Sequence, residues 1–180
     1  EWDLDGNGIM EPSELGIQTW LDGRLVSLDM VNVGLKGEIP KSVGRLDHLK
    51  RLALFSNQLS GEIPESIGNL KNLEVLYLHD NLLSGEMPES IGDLSSLKRL
   101  YLNSNQLTGP IPESIGTLVS LERLIIFDNQ LSGEIPRVIG NLIDLERILL
   151  SSNQLSGNIP EEINDLFNLE YFQIQNNGFT

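Results

Sequence analysis

The sequence contains no cysteine, which excludes disulfide bonds, a thiolate nucleophile and a zinc site with cysteine ligands. Only two histidines, His48 and His79, could serve as imidazole bases. Asn-x-Ser/Thr glycosylation sites are absent, and no apolar run approaches the roughly 18 residues that a membrane span needs. We find no phosphate-binding glycine loop, zinc-protease motif or nucleophile elbow. The residues therefore predict a protein that is not an enzyme.

Basic residues are also scarce. Lysine and arginine number 12 against 26 aspartates and glutamates, which gives a formal net charge of −14. Proteins hold nucleic acid by neutralising its phosphates with lysine and arginine, so we expect no nucleic-acid partner. Acidity of this degree favours solubility and repels other anions.

What the sequence does contain is a period of 24 residues. Leucine, glycine, proline and asparagine each recur at this interval over six or seven periods. Repetition of this kind is typical of a solenoid, in which a unit buries its apolar face only against its neighbours. The leucine series is Leu25, Leu49, Leu73, Leu97, Leu121, Leu145 and Leu169, and the asparagine series is Asn57, Asn81, Asn105, Asn129, Asn153 and Asn177.

Each unit has a physical interpretation. Residues 51–55 alternate between inward-facing leucines, Leu52 and Leu54, and outward-facing residues. This alternation predicts a short strand. Asn57 ends the strand, where its side chain can bond the backbone of the turn and stack on equivalent asparagines. Gly61 permits a tight course of the chain. Pro64 and Gly68 then mark the predicted start and end of a helical turn.

This spacing, L-x-x-L-x-L-x-x-N-x-L-x-G-x-I-P, resembles the plant-specific class of leucine-rich repeats over residues 25–180. The resemblance implies an α/β solenoid with a parallel concave β-sheet of about seven strands and short helical turns on the convex side. It also implies an extracellular or cell-surface module that binds a protein, peptide or polysaccharide. The alternatives are a structural or adhesion segment of a longer protein, and an inhibitor of a secreted wall-degrading enzyme. The stretch WLDGRLVSLD resembles the cysteine-free N-terminal segment of bacterial and protist relatives.

Two segments flank the regular repeats. We divide the chain into an N-terminal cap, residues 1–24, and a solenoid, residues 25–180, whose last repeat is incomplete. Apolar residues of the cap are predicted to form a short helix over the first repeat, namely Leu15, Ile17, Trp20 and Leu21. Aromatic residues gather at the other end, at Phe167, Tyr171, Phe172 and Phe179. They are either a cap or part of a longer chain, and we favour the longer chain; the exposed end would then be open to self-association.

The cap contains the sharpest motif, because residues 3–14 fit the EF-hand loop at every fixed position. Calcium takes six to eight oxygen ligands, and this loop can supply them. Only two residues precede the loop and no second loop pairs with it, so we expect a structural site of weak affinity. The alternative is an acidic turn that binds no metal. The resemblance assigns as ligands Asp3, Asp5, Asn7, the carbonyl of Ile9, Glu11 and Glu14.

The outward positions of the predicted sheet concentrate scarce residue types. Six of the twelve basic residues lie there when Lys50 and Lys98 are included. Arginine forks and aromatic rings suit an acidic peptide or an anionic polysaccharide. The alternative is that Glu74, Glu122, Glu146 and Glu170 neutralise the arginines. The predicted ligand contacts are Arg51, Phe55, Tyr77, His79, Arg99, Tyr101, Arg123, Ile125, Phe127 and Arg147.

The G-x-I-P side of the repeats is instead acidic. We interpret it as a solvated face, with a cation or basic partner as the alternative.

Overall fold

The structure, a computed structural model, describes residues 16–180. In this part of the chain each complete coil consists of a strand of a large sheet, a short strand on the opposite flank, and a 3₁₀ helix. The large sheet contains β1 Ile17–Leu21, β2 Arg24–Asp29, β4 Arg51–Ala53, β6 Val75–Tyr77, β8 Arg99–Tyr101, β10 Arg123–Ile125, β12 Arg147–Leu149 and β14 Tyr171–Gln173. The opposite flank contains β3 Lys36–Gly37, β5 Gln58–Gly61, β7 Leu82–Glu86, β9 Gln106–Thr108, β11 Ser132–Gly133, β13 Gln154–Gly157 and β15 Gly178–Phe179. The 3₁₀ helices are η1 Lys41–Arg45, η2 Glu65–Asn69, η3 Glu89–Asp93, η4 Glu113–Thr117, η5 Arg137–Asn141 and η6 Glu161–Asp165.

The large sheet follows the predicted register. Its strands are ordered β1-β2-β4-β6-β8-β10-β12-β14, and the seven from β2 to β14 run parallel. Residues 24 apart are direct neighbours, as Arg99, Arg123 and Arg147 show. The prediction of a seven-stranded parallel sheet in an α/β solenoid is therefore confirmed.

The opposite flank was not predicted as strand. Here the chain forms a four-stranded sheet, β3-β5-β7-β9, and a three-stranded sheet, β11-β13-β15. Gly61 ends β5 with a φ of 75°, a conformation that glycine adopts without steric cost. The tight turn expected at this glycine is confirmed. The short strands of the opposite flank form a second set of backbone hydrogen bonds between neighbouring coils.

The core lies between the large sheet and the 3₁₀ helices and runs the length of the solenoid. Leu100, Leu102 and Leu124 are fully buried, as the alternation predicts. The asparagine series closes the turn after each strand of the large sheet. Asn105, for example, receives the N–H of Leu83 at 3.0 Å and donates to the carbonyls of Leu78, Leu102 and Asn103.

The helical turns require one correction. Pro64 is the N-cap of η2, as predicted, but Gly68 lies inside this helix and does not terminate it. A Cβ atom at Gly68 would come within 2.5 Å of the carbonyl oxygen of Ser90 in the next coil. The glycine is therefore required because consecutive coils approach each other closely.

The predicted helical cap over the first repeat is wrong for the residues that the structure describes. Ile17, Trp20 and Leu21 belong to β1, which pairs antiparallel with β2, and they are 74%, 59% and 60% exposed. The turn between the two strands is Asp22-Gly23, with φ values of 51° and 73°. Asp-Gly is a strong two-residue hairpin signal, and it overrides the apolar spacing on which the helix was predicted.

The last coil divides its aromatic residues between core and surface. Phe172 and Phe179 pack against the end of the core, whereas Phe167 and Tyr171 are 91% and 48% exposed. None of the helices in residues 16–180 has the length and apolar character that crossing a membrane requires.

Candidate ligand-binding face

The concave strip is the set of ten predicted ligand contacts, from Arg51 to Arg147. The structure brings them together on one surface, in columns that follow the register of the large sheet. Nine of the ten are partly exposed, and Ile125 is only 6% exposed. Ile125 lies between Tyr101 and Leu149 in its column, so it forms the floor of the strip.

Three stacked arginines form the arginine ladder, Arg99, Arg123 and Arg147. Arg99 lies 3.8 Å from Glu122, and Arg123 lies 3.5 Å from Glu146. Within the described residues Arg147 makes no ion pair; its guanidinium lies 4.4 Å from the centre of the Tyr171 ring. The predicted neutralisation of the arginines is therefore incomplete.

The other two glutamates proposed as neutralising partners behave differently. Glu74 pairs with Lys50 at 3.7 Å and with Lys98 at 3.3 Å, and with no arginine in the part of the chain that is described. Glu170 makes no ion pair among residues 16–180. Glu74, which the sequence spacing had placed as a partner of the arginines, therefore pairs with the two lysines that flank the strip.

The arginine ladder retains unused hydrogen-bond donors. A guanidinium carries five N–H groups, and each contact with a glutamate involves one terminal nitrogen at 3.5 Å or more. The Nε atoms of all three ladder arginines are buried and have no hydrogen-bond partner among residues 16–180. A side-chain hydrogen bond with Tyr101 raises the pKa of Arg123 above its usual value, which further favours the charged form of this guanidinium.

Arg51 is positioned differently from the ladder. Its Nε donates to both carboxylate oxygens of Asp29, at 2.8 and 3.1 Å, and its guanidinium lies 4.9 Å from the centre of the Tyr77 ring. This pair was not predicted from the sequence. Asp29 lies in the neighbouring column, one coil before Arg51. An acidic residue at this position could have predicted the ion pair with Arg51. Arg51 therefore supports an aromatic ring and is already satisfied by a carboxylate.

Four rings form the aromatic cluster, which comprises Phe55, Tyr77, His79 and Tyr101. The rings of Phe55 and His79 stack with centroids 4.3 Å apart and an interplanar angle of 12°. The rings of Tyr77 and Tyr101 lie 4.5 Å apart, and Tyr77 meets His79 edge-on at 5.8 Å. Because each ring is held by another, the cluster offers a preformed apolar surface beside the arginine ladder.

His79 contributes the one imidazole ring of the cluster. Burial lowers the pKa of His79, and the nearby carboxylate of Asp80 opposes this only in part. The imidazole is therefore neutral at pH 7. Its Nε2 lies 4.0 Å from Asp80, too far for a hydrogen bond, and its Nδ1 is buried without a partner in the described part of the chain. This geometry is not that of a catalytic dyad.

The acidic G-x-I-P side also forms a groove, with a volume of about 700 Å³. The residues that line it include four glutamates and four prolines, Glu62, Glu65, Glu86, Glu89, Pro64, Pro88, Pro110 and Pro112. No group of three or more metal-ligating side chains occurs in residues 16–180. The predicted calcium ligands, Asp3 to Glu14, lie outside the described residues.

Comparison with known proteins agrees with this architecture. A profile described as a leucine-rich repeat region matches residues 24–145, and a leucine-rich repeat profile matches residues 144–166. No match was found among curated proteins. The ectodomain of GASSHO1/SCHENGEN3, a receptor kinase from Arabidopsis thaliana, is 38% identical with a TM-score of 0.85, covering 87% of this chain and 22% of that one.

Two further structures extend the comparison. The Arabidopsis receptor kinase HAESA is 41% identical with a TM-score of 0.83, covering 87% of this chain and 26% of that one. A plant ice-binding protein is 33% identical with a TM-score of 0.81, covering 92% of this chain and 61% of that one. This chain spans about a quarter of the length of the receptor structures. With a family profile across residues 24–145 and a matching fold, the chain belongs to the leucine-rich repeat family.

Proposed function

We propose that this chain is an extracellular or cell-surface recognition module that binds an acidic peptide or protein segment on its concave strip. The observation that carries the proposal is the arginine ladder. Three charged side chains are stacked on an open sheet, two of them contact a glutamate through a single terminal nitrogen at 3.5 Å or more, and the third has no carboxylate partner among the described residues. Carboxylates on a ligand would satisfy the remaining terminal N–H donors with the bidentate geometry that arginine favours.

The aromatic cluster supplies the apolar half of the same surface. Tyr77 and Tyr101 are partly exposed and fixed by their neighbours, so contact with a ligand costs little additional side-chain entropy. Tyrosine and arginine are also the residues that most often dominate binding energy at protein interfaces. A ligand with acidic groups beside an apolar side chain matches the strip best.

The similar proteins support a protein or peptide ligand. HAESA was crystallised with the peptide hormone IDA and the co-receptor SERK1, and GASSHO1/SCHENGEN3 with CASPARIAN STRIP INTEGRITY FACTOR 2. Both proteins are receptor kinases, which supports a location at the cell surface for this chain. Because this chain spans only about a quarter of their length, that location is part of the proposal. An anionic polysaccharide is the other ligand with suitable charge.

Likeness to the ice-binding protein carries less weight. The sequence has only four threonines, and they do not form the regular Thr-x-Thr array that ice binding would favour. We therefore do not propose ice binding.

The EF-hand-like loop adds a calcium site to the proposal. Asp3, Asp5, Asn7, Glu11 and Glu14, with the carbonyl of Ile9, would hold one calcium ion that stabilises the N-terminal end of the solenoid. The support is the fit of the sequence to the loop pattern.

The test uses defined ligands. Synthetic peptides that combine Glu or Asp with Leu or Phe, their amidated counterparts, and oligogalacturonides are titrated against the wild-type chain by calorimetry. The triple variant Arg99→Gln, Arg123→Gln, Arg147→Gln should lose at least about tenfold in affinity for the acidic peptide, because charge-assisted hydrogen bonds are removed.

A matched variant controls for the change in net charge. Lys36→Gln, Lys41→Gln and Arg137→Gln remove the same three charges from positions outside the concave strip, and this variant should bind as wild type does. Equal binding by the ladder variant and wild type would contradict the proposal. Binding of oligogalacturonide but of no acidic peptide would replace the peptide with a polysaccharide as the ligand.

A further inference from the structure

Three apolar side chains lie exposed on one edge of the solenoid, at equivalent positions in consecutive coils. We call Val119, Ile143 and Phe167 the flank stripe; they are 55%, 58% and 91% exposed. Each occupies the two-residue turn between a 3₁₀ helix and the following strand of the large sheet. This edge is distinct from the concave strip, whose columns begin four residues later at Arg123 and Arg147.

The repeat itself provides the comparison that shows these residues are not part of the core. The same position in the three preceding coils is held by Asp47, Lys71 and Ser95, so the fold accepts a polar side chain there. The preceding residue in each coil supplies the core contact instead. In the coils of the flank stripe that residue is buried, at Leu118, Leu142 and Leu166. Packing therefore does not explain the apolar side chains.

The coils hold the three side chains in line. Arg123, Arg147 and Tyr171, each four residues after a stripe residue, are direct partners in the sheet. The side chain of Asn168 donates to the carbonyl of Ile143 at 2.9 Å and so ties the last two turns together. Neighbouring coils are about 4.8 Å apart along the sheet, so the three apolar side chains follow one another along the same edge.

An acidic recess adjoins the flank stripe. A cavity of about 340 Å³ is lined by Glu122, Asp144, Glu146, Asn168 and Glu170. Glu122 and Glu146 each pair with a ladder arginine, whereas Asp144 and Glu170 make no ion pair within the described part of the chain. A molecule that covers the stripe therefore meets free carboxylates at its edge.

We propose that the flank stripe and the acidic recess together form a second docking surface, for a protein segment in which leucine- or phenylalanine-type side chains lie beside lysine or arginine. The negative charge of the recess favours a basic occupant. A second copy of this chain would bring its own acidic recess and a net charge of −14 to the contact, whereas a basic segment complements it. The surface goes beyond the proposed concave site, which takes a ligand of the opposite charge.

The probe is a short synthetic peptide, blocked at both ends, that contains equal numbers of leucine and lysine. Two control peptides replace every lysine with glutamate or every leucine with serine. We expect the Leu/Lys peptide to bind at least about tenfold more tightly than either control, since each lacks one half of the complementarity. Binding is measured by fluorescence anisotropy at physiological ionic strength.

The triple variant Val119→Ser, Ile143→Ser, Phe167→Ser, which restores the polar character of the earlier coils, should weaken binding of the Leu/Lys peptide at least about tenfold. Asp144→Asn with Glu170→Gln should weaken it independently and remove much of its salt dependence. The matched control is Leu82→Gln, which removes an apolar side chain that is 48% exposed on the opposite flank and should change nothing. Circular dichroism and thermal melts verify that each variant is folded.

The outcomes separate this surface from the concave site. The arginine-ladder variant should bind the Leu/Lys peptide as tightly as wild type or more tightly, because it loses only positive charges, which repel the positively charged peptide. Equal binding of all three peptides, or equal binding by the flank-stripe variant and wild type, would overturn the proposal. Sedimentation velocity that shows a wild-type dimer and a monomeric flank-stripe variant would overturn it in favour of self-association.

Discussion

Asn81 offers a sharp test of how the solenoid is held together. Its side chain is buried, with 7% exposure of the residue, and makes four hydrogen bonds to the backbone. Its Oδ1 accepts the N–H of Leu59 at 3.0 Å. Its Nδ2 donates to three carbonyls, those of Leu54 at 3.0 Å, Leu78 at 3.1 Å and His79 at 3.2 Å.

Truncation of Asn81 to alanine does not affect these partners equally. Each carbonyl keeps another donor: Asn57 for Leu54, Asn105 for Leu78, and the N–H of Ser56 for His79. The N–H of Leu59 keeps none among the described residues. One orphaned buried N–H costs about 1–3 kcal/mol, and the lost amide bonds add about 1 kcal/mol.

We therefore expect Asn81→Ala to lower the free energy of unfolding by about 2–4 kcal/mol, measured by urea denaturation. The amide of Leu59 should also lose protection from hydrogen exchange, which gives a local reading of the same event. Asn72→Ala is the matched control, because this exposed asparagine makes one bond, to the carbonyl of Asp47, and should cost no more than about 0.5 kcal/mol. A loss below about 1 kcal/mol for Asn81→Ala, with Leu59 still protected, would refute the reasoning.

Three further predictions concern the core, a histidine and the calcium loop. Leu124→Ala should cost about 2–5 kcal/mol in the free energy of unfolding through a core cavity, and an unchanged thermal melt would contradict the register. Burial lowers the pKa of folded His79 below 6.5, so the unfolded chain binds more protons and stability should fall as the pH drops below that value. Urea unfolding at about pH 7.5 and 5.5 should show that His79→Gln loses this component of the pH dependence and that His48→Gln retains it. Millimolar calcium should raise the melting temperature relative to chelator, and Glu14→Gln should abolish the rise; equal midpoints for wild type would remove the metal.

The sequence alone determined the fold and the placement of the candidate site. A strict 24-residue period requires every coil to superpose on the next, so counting along the chain places Arg99, Arg123 and Arg147 in one column. Alternation within each strand assigns Leu100 and Leu102 to the core. The local sequence also contains the signal for the hairpin. Asp22-Gly23 predicts a two-residue turn between two strands, and this hairpin takes the place of the expected helix.

Only the tertiary structure decided how the side chains of the strip interact. Spacing fixes backbone positions to within a coil, but an ion pair requires two long side chains to meet within 4 Å, and their rotamers depend on every neighbour. For this reason Glu74 pairs with lysines, Asp29 holds Arg51, and Arg147 lies over Tyr171. The same dependence buries Ile125 beneath its neighbours, although the alternation of the strand places this residue on the outward side.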